Sequence, residues 1–251
     1  MIWVWLGALA VGLTLGILGS GGSILTVPVL VYLVDEPEKV AIAESLGIVG
    51  AISLSGFIPY ALKKQVHWPS ILYFGFPGIL GTYFGSVMAA YVSGKVQLVV
   101  FAVIMLAAAI LMFLNKTQVP KPASQYKIVK WQLGLQGFGV GSLTGFIGVG
   151  GGFLIVPALV LLAGLPITLS VGTSLAIISL NSFSGFFKHL EVLQTFDLHL
   201  NWSLIIIFSI IGAAGSLVGN KIGFYIPQDK LKKGFAAFLV LMAFYIIYMN
   251  L

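Results

Sequence analysis

Two glycine clusters carry the first hint of chemistry in this chain. Gly19, Gly21 and Gly22 interrupt one long apolar stretch, and Gly148, Gly150, Gly151 and Gly152 interrupt another. A helix that starts inside such a stretch begins with backbone N–H groups that have no intrahelical acceptor. Its dipole makes that start weakly positive. Two such starts facing one space are suited to holding a small anion through peptide donors. Every one of the 13 basic residues is a lysine, so the bidentate fork that arginine offers an oxyanion is missing. Glycine's other use in an apolar helix is close approach between helices. That is the role expected of Gly78, Gly81, Gly85, Gly212, Gly215 and Gly219.

Side chains add hydroxyls and one amide. Ser53, Asn181 and Ser182 stand near the middle of apolar runs, at the depth expected of the glycine breaks, and are the best side-chain partners for a ligand there. Ser45, Thr173 and Ser174 are shallower candidates for the same lining. Each hydroxyl has a plain alternative, a bond to the preceding helical turn or to a neighbouring helix. Glu44 is the one carboxylate inside a run. It is a candidate for proton exchange because ionisable groups are expensive in a membrane; otherwise it belongs to the acidic turn at 35–38. Lys188, His189, Glu191, Asp197 and His199 read as a solvated connection. No spacing suggests a metal site, a cofactor site or a nucleophile–base pair, and GSGGS and GVGGG lack the ending of a phosphate-binding loop.

The elements that must position these residues are duplicated. Residues 19–31, GSGGSILTVPVLV, align without a gap on 148–160, GVGGGFLIVPALV, and 41–57 align on 170–186 at the same 129-residue offset. Fifteen of these 30 pairs are identical. After a five-residue insertion in the second copy, Trp68 matches Trp202, and Gly78, Gly81 and Gly85 match Gly212, Gly215 and Gly219. Apolar runs at about 40–61, 70–91, 96–114, 168–187, 202–224 and 231–250 each suit one membrane span of roughly 20 residues. The stretches 2–34 and 131–164 are too long for one span, so each is expected to be a helical hairpin bent at its glycines. The fold class is an all-α integral membrane protein of two homologous repeats, 1–114 and 131–251, joined by a linker at 115–130.

Lys116, Lys121, Lys127 and Lys130 make that linker cytoplasmic. Hairpins then place Lys63, Lys64, Lys230, Lys232 and Lys233 on the same side and make the repeats inverted. Lys95 falls on the wrong side in this scheme, and parallel repeats are the alternative.

Composition bounds the rest. The chain is 59% hydrophobic and 8% charged, against about 25% charged for soluble domains. Its +6 net charge comes from lysines in short connections, so a lipid bilayer is the expected partner and nucleic acid is not. The apolar N-terminus lacks a basic leader and has an internal duplicate, which marks it as structure rather than a signal peptide.

The paired glycine clusters, the proline after each and the segment GTSLAIISLNSFSG at 172–185 resemble the sulfite exporter TauE/SafE family of membrane transporters. Val66-His67-Trp68 resembles its small-apolar–Asp–Trp step. The resemblance implies outward secondary transport of a small sulfur-containing anion, such as sulfite or an organosulfonate, across a bacterial or archaeal plasma membrane. With no nucleotide-binding module in the chain, the energy is expected from a gradient, with a proton or another coupling ion as partner, or from the substrate itself. Transport is expected to run by alternating access and without a catalytic step. Glu44 departs from the family's threonine, which Thr173 keeps, and His67 departs from its acidic residue. A passive anion channel and a non-transporting membrane partner are the rival classes. Gly151→Val is expected to block ligand approach while leaving the fold assembled.

Overall fold

The computed structural model describes residues 2–18, 22–114, 130–161, 163–223 and 228–250. Gly19, Gly21, Lys116, Lys121 and Lys127 lie outside them. The first overlong stretch forms α1 (Ile2–Leu18) and α2 (Gly22–Tyr32); the second forms α7 (Lys130–Ile147) and α8 (Gly152–Leu161). Between and after them run α3 (Glu38–Leu62), α4 (Trp68–Ser70), α5 (Phe76–Ala90), α6 (Gly94–Leu114), α9 (Ile167–Thr195), α10 (Trp202–Gly223) and α11 (Gln228–Asn250). A π-helical turn, Ile71–Gly75, joins α4 to α5. Among the described residues, five helices are long and apolar enough to cross a membrane, and no element is a strand. The protein is a multi-pass, all-α membrane protein.

The breaks follow from local chemistry. Gly148, Gly150 and Gly151 have φ of 79°, 71° and 66°, a left-handed run that residues with a Cβ adopt only under strain. It ends α7 and lets α8 begin in a new direction. In the first half α2 runs back along α1, with Gly22 against Val11 and Leu15, and Gly7 against Val29. Pro37 and Pro166 stand just before α3 and α9 with φ and ψ near −56° and 142° and near −55° and 145°. That extended backbone stops either helix from growing backward.

One boundary differs from the sequence expectation. α9 continues past 187 to Thr195, so Lys188, His189 and Glu191 are helical rather than part of a solvated connection. Lys188 pairs with Glu191 one turn away, and Leu190 and Leu193 continue the apolar face. The first charged residue marked the end of the apolar run, not of the helix.

Helix directions are fixed by which residues touch. On α3 and α9, Gly47 faces Phe186, Gly50 faces Phe183 and Gly56 faces Leu175, so the two helices are antiparallel. On α5 and α7, Gly78 meets Gly141 and Thr82 meets Gly145, so these are parallel; Gly12 on Gly212 and Gly16 on Ser216 make α1 and α10 parallel too. Backbones touch along both seams. A Cβ on Gly141 would overlap the Gly78 carbonyl, and one on Gly12 would overlap that of Gly212. Small residues permit this approach, which is how membrane helices gain dispersion contacts without a hydrophobic drive.

Contacts recur at duplicated positions. Phe57 meets Trp68 edge-on at 6.3 Å, and Phe186 meets Trp202 edge-on at 6.1 Å. Asp35 and Gly164 turn the chain with the same positive φ of 66°. The directions also place the ends of α3 and α10 and the start of α7 on one side of the bundle. Lys63, Lys64, Lys130 and Lys221 therefore share a side, opposite Asp35, Glu36 and Lys95.

Candidate functional site

The two sides of the second glycine turn are treated differently. A helix end leaves carbonyls without intrahelical donors, and at the end of α7 four neighbouring helices supply them. His189 Nε2 on α9 donates to Gly145 O at 3.0 Å, and Ser86 Oγ on α5 donates to the same oxygen at 3.3 Å. Gln97 Nε2 on α6 donates to Phe146 O at 2.6 Å. Ser45 Oγ on α3 donates to Gly148 O. The negative end of α7 is thereby closed.

The start of α8 is lined instead by a hydroxyl with nothing to bond. A Cβ on Gly150 would lie 2.7 Å from Ser182 Oγ and 2.7 Å from Val49 Cγ1, so glycine here lets α9 and α3 close on the turn. Ser182 is fully buried and its Oγ has no hydrogen-bond partner. Ser53, its counterpart on α3, is also fully buried and unpartnered. Since Gly50 faces Phe183 and Gly56 faces Leu175, Ser53 and Ser182 lie about four residues, or about 6 Å, apart along the pair. Both are near the midpoint of their helices.

Asn181 is the third orphan. Its Nδ2 and Oδ1 are both buried without partners, and they lie 2.9 and 3.0 Å from the place a Cβ on Gly78 would occupy. The position duplicated from Asn181 holds Ile52, which packs on Gly212 in the same way. Ser216 joins the group from α10: fully buried and unpartnered, its Oγ is 3.0 Å from the Cβ position of Gly56, one turn from Ser53. A buried hydroxyl or amide left unpaired costs roughly 1–3 kcal/mol. Four such groups stand near the middle of α3, α9 and α10, each without a partner.

The shallower candidates are engaged elsewhere. Thr173 Oγ1 accepts the His67 N–H at 2.9 Å, at the start of α4. Glu44 Oε1 accepts the Asn201 N–H at 2.7 Å, at the start of α10, while its Oε2 is buried without a partner. Glu44 and Thr173 are duplicated positions, so two different side chains do one job, each receiving the N–H just before a helix of the opposite half. Ser45 shares the one proton that meets Gly148 O with Ile42 O, and Ser174 donates to Val171 O; the bonds to Ile42 O and Val171 O are each 2.8 Å. Outside the spans, burial holds the His67 imidazole below its usual range, and its Nδ1 meets Ser70 Oγ at 2.8 Å.

Ile24 and Val27 of α2 share one apolar cluster with Ile147 and Val149 beside the second turn. The family model of the sulfite exporter TauE/SafE family matches residues 4–246. The chain belongs to this family. It is 30% identical over 243 residues to a probable membrane transporter protein of Xylella fastidiosa, covering 95% of this chain and 91% of that one. The probable membrane transporter protein YunE of Bacillus subtilis is 30% identical over 250 residues, covering 89% and 86%. A probable membrane transporter protein of Methanocaldococcus jannaschii, MJ0441, is 26% identical over 228 residues, covering 87% and 84%. No solved structure matches. Membership of this family makes the protein a membrane transporter.

Within this family framework the sequence candidates sort by their bonds. Gly22 and Gly152 begin α2 and α8. Gly148 sits against Ile42, and Gly151 against Thr144 Oγ1, where a Cβ would collide. That overturns the expectation that Gly151→Val leaves the fold assembled: the φ of 66° and the Thr144 collision make the change structural. Sequence reasoning missed Gln97, His189 and Ser216. A lone amide in an otherwise apolar span signals Gln97. His189 needed the true length of α9, and Ser216 carries no local signal.

The Glu44–Thr173 equivalence yields a test. Glu44→Thr is expected to keep the α10 start capped, giving a folded protein with its transport and the pH profile of that transport unchanged. Glu44→Ala, which orphans the Asn201 N–H, is expected to lose about 1–2 kcal/mol of stability. Loss of proton-driven flux in folded Glu44→Thr would instead make Glu44 the proton carrier.

Proposed function

We propose that the protein is a secondary active exporter of a small sulfur-containing anion, such as sulfite or an organosulfonate. The anion binds at the starts of α2 and α8, with Ser53, Asn181, Ser182 and Ser216 as side-chain partners and Gly150 allowing close approach. The glycines Gly19, Gly21, Gly22, Gly148, Gly151 and Gly152 shape the site. Ser45, Thr173 and Ser174 support its walls. The observation that carries this reading is the buried, unpartnered Ser182 hydroxyl against the glycine that precedes α8, beside a helix end whose carbonyls are closed off.

The two halves act as inverted repeats, a reading supported by the antiparallel contact of the duplicated helices α3 and α9. The side bearing Lys63, Lys64, Lys130 and Lys221 is cytoplasmic by its positive charge. Rocking of one repeat against the other exposes the site to each side in turn. A gradient supplies the energy, with a proton as the coupling ion. Glu44 serves as a helix cap, because Thr173, which does not ionise, makes the same bond in the other half.

The test is thermal unfolding of the purified protein with sulfite, thiosulfate, sulfoacetate and a carboxylate, followed by flux in proteoliposomes. Sulfur oxyanions are expected to raise the unfolding temperature in a saturable way, and export is expected to require counter-movement of protons. Flux without such exchange at channel-like rates would replace the transporter with a pore.

A further inference from the structure

One buried face of α10 is polar and has nothing to answer it. Ser209, Ser216 and Asn220 stand seven and four residues apart, which puts them on one face of the helix, and every polar side-chain atom of the three is buried without a partner. The neighbour of this face is α3. Gly212 sits against Ile52, and Ser216 Oγ is 3.0 Å from the Cβ position of Gly56, so α10 and α3 run parallel and in register at four-residue steps. The next step pairs Asn220 with Tyr60, in the last turn of α10 beside Lys221. Ser53, also unpartnered, stands one turn before Gly56.

The duplicated seam, α5 on α9, is fastened. Gly78 sits against Asn181 and Gly185 against Thr82, and the next step pairs Ser86 with His189. Thr82, Ser86 and His189 occupy the positions of Ser216, Asn220 and Tyr60. Thr82 Oγ1 donates to Gly78 O at 2.9 Å, and Ser86 and His189 both donate to Gly145 O. Ser184 Oγ ties α9 to α5 through Ile79 O at 3.3 Å. The α3–α10 pair is pinned only at its outer end, where Glu44 Oε1 accepts the Asn201 N–H ahead of α10. From Ser209 onward no side-chain hydrogen bond among the described residues joins α10 to α3. Parting this half of the seam breaks no such bond, and it lets water reach polar groups that are costly to bury dry.

We infer that the exported anion, on the reading given above, enters from the cytoplasmic side between α3 and α10. Asn220 is the first polar side chain of that passage, and Ser216 and Ser53 follow at successive turns. An amide and two hydroxyls supply the donors that a desolvating anion needs. Lys63, Lys64 and Lys221 at the mouth raise the local concentration of anions.

The chain has no cysteine, so single cysteines report access without background. Asn220→Cys, Ser216→Cys and the duplicated-position controls Ser86→Cys and Thr82→Cys should be treated, in inside-out and right-side-out membrane vesicles, with sulfonatoethyl methanethiosulfonate, a membrane-impermeant anion. From the cytoplasmic face, modification is expected to be at least about tenfold faster at positions 220 and 216 than at 86 and 82. Asn220→Leu closes the mouth with an apolar side chain and is expected to slow export about tenfold or more. Its sulfoacetate-induced rise in unfolding temperature should stay near wild type, because the anion site lies deeper.

Equal rates at the four positions, or faster modification of Asn220→Cys from the outer face, would overturn the passage and leave the anion site standing. Wild-type export by Asn220→Leu would do the same. Absence of both export and stabilisation in the wild-type protein would overturn the anion reading instead; the cysteine rates need no substrate and would still decide whether α10 lines an aqueous path.

Discussion

Asn181→Ile is expected to make the empty protein more stable and to remove its anion binding. The amide is fully buried with both polar atoms unpartnered, and relieving such a group is worth about 1–3 kcal/mol. The replacement has a precedent within the chain: Ile52 fills the duplicated position and packs on Gly212 as Asn181 packs on Gly78. Binding should weaken by about 100-fold or more, since an apolar side chain facing a desolvated anion replaces a hydrogen bond with a buried unpaired charge. Opposed shifts of stability and affinity are the pattern of a polar group retained for function. Unfolding temperature without ligand and the ligand-induced rise in it read the two effects separately. A variant that melts earlier yet binds normally would make Asn181 a structural residue.

Gly141→Leu should prevent assembly altogether. The α5–α7 seam brings the Gly78 carbonyl onto the place where a Gly141 Cβ would be built, and backbone cannot yield as a flexible side chain can. Overpacking of this kind costs more than about 3 kcal/mol. Gly139→Leu on the same helix is the matched control, for nothing lies within 4 Å of its Cβ position. Monodisperse yield after detergent extraction should collapse for the first and stay near wild type for the second. Gly12→Leu, at the duplicated seam against Gly212, should behave like Gly141→Leu. Equal yields from Gly141→Leu and Gly139→Leu would show that the seam opens without penalty.

These outcomes mark how far the chain could be read unaided. Helix starts at Gly22 and Gly152 were legible because glycine conformation and apolar run length are local properties. The roles of the serines were not. Ser45 and Ser53 have the same chemistry on the same helix, yet one caps Gly148 O and the other has no partner. That difference depends on what another helix presents across a gap, which no spacing within α3 encodes. His189 was misread as solvated for a related reason: charge beside it hid the continuation of α9, and its acceptor, Gly145 O, is 44 residues away in sequence.

The amino-acid sequence by itself determined the helical membrane class, the duplication, the two breaks and the depth shared by Ser53 and Ser182, since all of these follow from composition, run length and repeat offset. Tertiary structure decided which polar groups are satisfied and which are left open. It turned Glu44 into a partner for Asn201 N–H, enlisted Gln97 and His189 to close α7, and left Asn181, Ser182, Ser53 and Ser216 unpaired. The physical reason is that hydrogen bonds saturate: a donor is free or bound only according to the acceptor that the fold brings within about 3 Å of it.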